Sequence, residues 1–295
     1  MTDARTITEV LGGTWHGTYG TAPCPVCQPD RRSDQRALSL TNSGRRLLAF
    51  CHKLGCSFQD ILAAAGLPQG CSEAPVPKLS VRRQIEIKAN EMNRSAQALR
   101  LWNETSPIAD SIAQTYLRGR SIRLVLPPTL RFHPSCWHEK AENNPALVAI
   151  AQGSAGFSVH RTYLRPDGTG KADVSPNKKS LGPIGGGAVH LSVGTGPIVV
   201  GEGLETSLSL LQGIQIEEAR VWAALSAGGM AALNLPEGVG EILIAPDGDE
   251  VGAKAADRLA IRASRLGWRV LMMPPPGDGL DWNDVLNGAR NEDNA

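Results

Sequence analysis

Three carboxylates in the last third of this chain stand where short apolar runs stop. Pro197-Ile198-Val199-Val200-Gly201-Glu202-Gly203 ends in a glutamate, and Ile242-Leu243-Ile244-Ala245-Pro246-Asp247-Gly248-Asp249 ends in an Asp-x-Asp pair. Each run is long enough for a buried parallel strand. In an open α/β sheet the carboxyl ends of the strands line the ligand crevice, so Glu202, Asp247 and Asp249 are expected to converge there. Asp247 and Asp249 are two residues apart and leave an extended chain on the same side. Hard oxygen donors gathered at one sheet edge describe a site for Mg²⁺, or Mn²⁺, of the kind that acts on phosphates. Asp-Gly-Asp alone also reads as an ordinary turn. The order strand-Glu, helix, strand, strand-Asp-x-Asp, helix sets it apart.

A second chemistry lies near the other end. Cys24-Pro25-Val26-Cys27 is a Cys-x2-Cys knuckle, and Cys51-His52-Lys53-Leu54-Gly55-Cys56 follows it. Two turns that each present two thiolates suit tetrahedral Zn²⁺, with Cys24, Cys27, Cys51 and Cys56 as the expected ligands. The second knuckle is wide, so His52 could stand in for Cys51. A disulfide reading is disfavoured because Met1 to Gly13 hold no secretory apolar segment, which makes a cytoplasmic, reducing setting the expectation. Cys71 and Cys136 fall outside the pattern.

The elements that must position these groups can be read from spacing. Glu205 to Gln212 reads as a helix stopped by Gly213, Val221 to Leu225 as a strand, Val251 to Leu266 as a helix ended by Gly267, and Arg269 to Met273 as the last strand. Strands alternating with helices over about 100 residues imply a parallel sheet covered on both faces. Upstream, Val81 to Trp102 and Ile108 to Arg118 read as helices. Leu130 to His133, Ala146 to Ile150 and Ser158 to Leu164 read as strands, with Arg165-Pro166-Asp167-Gly168 as a turn. Phe58 to Leu67 reads as a short helix, and Pro68 to Ser80 as a linker rich in Pro, Gly and Ser.

The net charge of +1 hides an asymmetry. Residues 1–195 carry 23 Lys/Arg against 14 Asp/Glu, while residues 196–295 carry 7 against 15. A basic front and an acidic, metal-binding back suit chemistry on a nucleic acid, and also suit attraction between the two parts of the chain. No apolar run approaches a membrane span. No Gly-x4-Gly-Lys-Ser/Thr loop is present, so the chain carries no ATPase of that type.

On these motifs the carboxy-terminal segment resembles the Toprim domain, shared by DnaG-type primases, topoisomerases and some nucleases. Glu202 matches that family's glutamate, Asp247 and Asp249 its Asp-x-Asp pair, and Asp281-Trp282-Asn283-Asp284 its acidic turn. The resemblance implies Mg²⁺ held by Glu202, Asp247 and Asp249, with Asp281 and Glu205 as accessory acids. Trp15 to Gly20, Cys24 to Cys27 and Phe50 to Cys56 resemble the zinc ribbon of phage and plasmid primases. There Arg31, Arg32, Arg36, Arg45 and Arg46 would suit phosphates. Tyr116-Leu117-x-x-Arg120, His160 to Leu164, Gly170-Lys171-Ala172, Lys178-Lys179-x-Leu181-Gly182 and Gly187-Ala188-Val189-x-Leu191 resemble the piece that precedes Toprim in primases of mobile elements. By that resemblance Arg161, Lys171, Lys178 and Lys179 would face the metal site and hold template or nucleotide.

The expected architecture is therefore α/β: a zinc ribbon at 1–67, a linker at 68–80, an α+β subdomain at 81–195 and a Rossmann-like Toprim domain at 196–295. The expected function is that of a DNA primase making RNA primers on single-stranded DNA from ribonucleoside triphosphates, for a phage, plasmid or integrated element, with a separate helicase as partner. Two other readings stay open: a Toprim nuclease using the same acids on a phosphodiester, and a non-catalytic nucleic-acid binder. A topoisomerase would need a nucleophilic tyrosine and gate domains, and the chain has only Tyr19, Tyr116 and Tyr163.

Overall fold

The computed structural model describes residues 3–32, 34–43, 46–66, 81–140, 142–277 and 279–293. The expected linker, Cys71 and Arg45 lie outside them. The chain forms two compact units, residues 1–80 and 81–295.

The first unit starts with helix α1 (Ala4–Val10). An antiparallel meander follows, made of β1 (Thr14–Trp15), β2 (Tyr19–Ala22), β3 (Leu38–Ser43) and β4 (Arg46–Cys51), and α2 (Phe58–Ala64) comes last. Ser57 starts α2 by accepting a hydrogen bond from the Asp60 N–H, which satisfies one of the helix's open donors. The loop between β2 and β3 and the end of β4 are where the cysteines fall, so the meander sets the distance between the two knuckles.

The second unit opens with α3 (Val81–Asn103), β5 (Ser106–Pro107) and α4 (Ile112–Gly119). Next come β6 (Leu130–Cys136), β7 (Asn144–Ala151), β8 (Ser158–Tyr163) and β9 (Lys178–Leu181). Strands β5 to β9 make an antiparallel sheet in sequence order. Val148, Val159 and Tyr163 pack with Ala98 and Leu101 of α3 on one face of it. Leu147 and Ala149 face the other way, into a core shared with α4. The period-two alternation of a strand produces this division.

The rest of the unit is β10 (Val189–His190), β11 (Ile198–Gly201), α5 (Leu204–Gly213), β12 (Arg220–Ala223), α6 (Ala227–Ala232), β13 (Glu241–Ala245), α7 (Glu250–Arg265), β14 (Arg269–Met272) and α8 (Trp282–Asp293). Strand order is β10-β12-β11-β13-β14. The last four strands in this order are parallel, and β10 is added antiparallel at the β12 edge. Alternation again divides the strands. Val199, Val221 and Leu243 join the core that holds Leu204 and Leu208 of α5, with Trp282 and Leu286 of α8 packed against it. Ile198, Val200, Ile242 and Ile244 are buried on the opposite face, and α6 and α7 pack on each other. The α5-side core also takes in Tyr116 and Leu117 of α4 and Leu130 of β6. One apolar core therefore joins both sheets. No helix among the described residues is long and apolar enough to cross a membrane.

Candidate metal centres and the basic strand beside them

In the first unit the structure brings Cys24, Cys27, Cys51 and Cys56 together. Their sulfurs all lie within 4.8 Å of one another and all four residues are buried. Cys27 Sγ is 3.5 Å from Cys51 Sγ. Gln28 braces the first knuckle: its side-chain carbonyl accepts from the N–H groups of Cys24 and Ala37, both at 3.1 Å. The Leu54 N–H points at Cys51 Sγ at 3.5 Å. Hydrogen bonds from Cys24 and Cys27 hold the Cys51 thiol well below its ordinary range, and the same crowding pushes Cys27 well above it. Four buried sulfurs gathered this closely fit a tetrahedral Zn²⁺. His52 is not part of the set; its Nε2 pairs with Ser39 Oγ at 2.7 Å.

In the second unit Glu202 follows the end of β11, and Asp247 and Asp249 follow the end of β13. These are neighbouring parallel strands, and Gly201 sits beside Ala245. Asp247 accepts a hydrogen bond from Thr206 Oγ1 of α5 at 3.2 Å. Asp249 does not continue the strand as the two-residue spacing suggested. It is the N-cap of α7, and its carboxylate accepts the Gly252 N–H at 2.6 Å. Asp281 likewise accepts from the N–H groups of Asn283 and Asp284 at 2.7 and 2.9 Å, at the start of α8.

Two glycines let these turns close. A Cβ on Gly248 would lie 2.7 Å from Leu280 O and 2.9 Å from Gly277 O. The Gly248 N–H and C=O are bonded to Leu280 O and the Gly279 N–H, both at 2.7 Å, which ties the Asp-x-Asp turn to the Asp281 turn. A Cβ on Gly252 would meet Asp247 O at 2.7 Å and Glu202 Oε2 at 3.1 Å. The backbone must come this close for the acids to share one edge.

The electrostatics show what that closeness costs. Burial, then repulsion from Asp247 and Asp249, pushes the Glu202 carboxyl up to about 7. Burial, then Asp281, pushes Asp247 up to about 6. Glu202 Oε2 is buried and has no hydrogen-bond partner among the described residues. Partly enclosed acids that repel one another and leave a buried oxygen unpaired fit a divalent cation. Among the described residues the four thiols are the set of three or more ligating groups that converges within 4.8 Å. The acids are more open, as suits Mg²⁺, which keeps several of its waters and takes few carboxylates.

The expected basic group is split by the pleat of β8 and β9. Arg161 pairs across the strands with Lys179, and Thr162 with Lys178. Neighbouring residues on a strand point to opposite faces. Lys178 Nζ lies 3.6 Å from Glu205 Oε2 and Lys171 Nζ lies 3.3 Å from Glu205 Oε1, on the acid side. Lys179 instead pairs with Glu139. Arg161 is 1% exposed, donates to Trp137 O at 3.2 Å, and lies near the Trp137 and Tyr163 rings. The expectation that all four face the metal site is corrected: Lys171 and Lys178 share the Glu205 side, Lys179 does not, and Arg161 is enclosed. Glu205, expected as an accessory acid, is an ion-paired residue of the interior.

Three further residues complete this network without having been given a role from the sequence. Tyr116 donates to Glu205 Oε1 at 2.7 Å. Asn283 is fully buried; its amide donates to Arg120 O and Ser209 Oγ, and its Oδ1 accepts from Arg120. Thr206 holds Asp247. Asn283, inside the acidic turn, and Tyr116, at the head of the Tyr116-Leu117-x-x-Arg120 stretch, carried a sequence signal, and Thr206 did not.

Residues 197–291 match the Toprim domain family, and residues 92–191 match a domain of unknown function (DUF7146). The carboxy-terminal α/β segment is a Toprim domain. Among solved structures, the chain is similar to the zinc-binding and RNA polymerase domains of the Aquifex aeolicus primase, at 14% identity and a TM-score of 0.44, over 99% of this chain and 84% of that one. It is also similar to the primase fragment of the bacteriophage T7 primase-helicase protein, at 23% identity and a TM-score of 0.32, over 50% of this chain and 64% of that one. No curated protein matches.

Proposed function

We propose that this protein is a DNA primase, a template-directed nucleotidyltransferase that makes short RNA primers on single-stranded DNA. The observation that carries the reading is the pairing, in one chain, of a four-thiol cluster with a Toprim domain whose Glu202, Asp247 and Asp249 crowd one sheet edge. A ribbon of this kind suits template contact, and Arg31, Arg32 and Arg36 would meet template phosphates there. Glu202, Asp247 and Asp249 would hold Mg²⁺, with Asp281 behind Asp247. When bound, Mg²⁺ supplies the positive charge that activates a primer 3′-hydroxyl and neutralises a triphosphate and its leaving pyrophosphate. The protein's own contribution is placement. Thr206 orients Asp247, the α7 cap orients Asp249, and Lys178 brings a cation to the same edge for the nucleotide. Zn²⁺ would be held by Cys24, Cys27, Cys51 and Cys56. A replicative helicase of a phage, plasmid or integrated element would be a separate partner.

One assay tests this. The protein is incubated with single-stranded DNA, labelled ribonucleoside triphosphates and Mg²⁺. Labelled primers are expected. Cut template with no primer would replace the reading with a nuclease, and neither product would leave a nucleic-acid binder.

A further inference from the structure

Glu205 is a carboxylate in an apolar setting. It lies on α5 between Leu204 and Leu208 and is 4% exposed. Burial alone would raise its carboxyl; Lys178, then Lys171 and the Tyr116 hydroxyl, outweigh burial and hold it well below the usual carboxylate range. It is therefore charged, and its two oxygens have different partners. Oε1 takes the Tyr116 hydroxyl at 2.7 Å and Lys171 at 3.3 Å, and Oε2 takes Lys178 at 3.6 Å. Those partners come from α4, from the turn after β8 and from β9, so one carboxylate gathers three separate segments.

The charges do not cancel. Two ammonium groups meet one carboxylate, so one positive charge is left over. Its place follows from the fold: Glu205 shares a turn with Glu202, and the next residue, Thr206, holds Asp247 at 3.2 Å, so the lysine on Glu205 Oε2 stands at the acid edge. Lys178 is more open than Lys171, with side chains 37% and 21% exposed. Behind it His160 is buried and kept neutral, first by burial and then by Lys178, with its Nδ1 on Ser180 Oγ at 3.1 Å. The surplus cation therefore stands between an interior anion and the acid edge, with no acid of its own strand to take it away. A flexible lysine held from behind loses less freedom when it meets a phosphate.

We propose that Glu205 is a positioning residue for nucleotide binding. It pins the Lys178 ammonium beside Glu202 and Asp247, where it meets the triphosphate of an incoming nucleoside triphosphate. The inference rests on the primase reading above. The common chemistry is phosphate, and the triphosphate is chosen over template phosphodiester because the acids beside Lys178 would carry the cation that accompanies a triphosphate.

The test is a double-mutant cycle on the full chain, read by equilibrium binding of fluorescently labelled ATP in Mg²⁺, with melting followed in parallel. Glu205→Gln keeps the shape and an acceptor for Tyr116 but ends the ion pairs. It is expected to weaken ATP binding about fivefold, and Lys178→Met about tenfold. In the double variant the Glu205→Gln loss should disappear, because the residue acts through Lys178. A full fivefold further loss there, or unchanged binding by Glu205→Gln, overturns the proposal. If Glu205→Gln does not fold, Tyr116→Phe removes only the hydroxyl on Oε1. It should give a smaller loss that also vanishes with Lys178→Met, and an equal loss in both backgrounds overturns the proposal. A single-stranded oligonucleotide serves as the second arm: its affinity should be unchanged by Glu205→Gln, and a loss there in place of ATP overturns the nucleotide assignment. Wild-type protein that binds no ATP overturns the primase reading and this inference with it. Binding with an additive cycle overturns this inference alone.

Discussion

The crowded acids should make the protein less stable as the pH rises toward neutrality, and Mg²⁺ should reverse that. In the folded chain Glu202 titrates at about 7, against 4.5 for the free group. Between those values the folded carboxyl holds a proton that the unfolded chain has lost. Stability is therefore highest below about pH 4.5 for this group and falls as the pH rises to about 7. At about 1.4 kcal/mol for each pH unit the full effect is about 3 kcal/mol. Glu202 is only partly enclosed, so solvent screening reduces this to about 2 kcal/mol. Asp247, raised from 3.8 to about 6, adds in the same direction. Glu202→Gln has no charge to repel at any pH. In magnesium-free buffer at pH 8 it should melt about 4–8 °C above wild type, since about 1 kcal/mol moves a unit of this size by about 2–4 °C. At pH 5 the two should nearly coincide. Added Mg²⁺ should raise the wild-type midpoint at pH 8 far more than at pH 5, and should raise that of Glu202→Gln little at either pH. Melting curves from pH 5 to 8, with and without Mg²⁺, measure all of this. If Glu202→Gln melts with wild-type pH dependence in magnesium-free buffer, the repulsion is absent and the acids are not a cation site.

Other outcomes are expected from the same geometry. Asp247→Asn and Asp249→Asn should each abolish Mg²⁺-dependent primer synthesis while the chain stays folded, because the amide keeps the shape but loses the charge; a folded Asp249→Asn protein with near wild-type yield would sink the assignment. Asp249→Ala should in addition cost about 1 kcal/mol of stability, since it removes the α7 cap, and denaturant unfolding of the Asn and Ala variants separates the two effects. Metal analysis should find one Zn²⁺ per chain, lost when Cys24 and Cys27 are changed to Ser, and full retention of zinc would refute the four-thiol site. Lys178→Ala should weaken nucleotide binding and flatten its salt dependence, whereas Lys179→Ala, on the opposite face against Glu139, should leave both near wild type; equal effects would mean that the two faces are not distinct.

How far the site could be read in advance depended on how local its signal was. The cysteine pairs and the apolar runs ending in acids are local: ligand spacing and strand length are written within a few residues. The clustering of the thiols and the alternation of strands and helices around the acids could therefore be anticipated from short windows. The Lys178–Lys179 division was not visible in that way. Strand β9 is half-buried along its whole length, so it has no apolar alternation to mark it as a strand, and only the pairing with β8 assigns each lysine a face. Strand β10 was hidden for a related reason, being two residues long and antiparallel to the strand it joins.

Glu205 was the least legible of all. On an amphipathic helix an acid beside leucines reads as the start of the polar face, and nothing within α5 says otherwise. Its partners lie 27 to 89 residues away in the chain, and only the fold puts Tyr116, Lys171 and Lys178 around it. A buried carboxylate survives in such a place only when opposite charge arrives from elsewhere. That requirement changes the meaning of the charge asymmetry between the front and back of the chain. Part of the basic excess before residue 196 is spent inside the molecule, on Glu205, and does not wait for nucleic acid. What remains for a phosphate is the uncancelled share, and on the Toprim side the geometry concentrates it at Lys178, beside the acids that need a cation of their own.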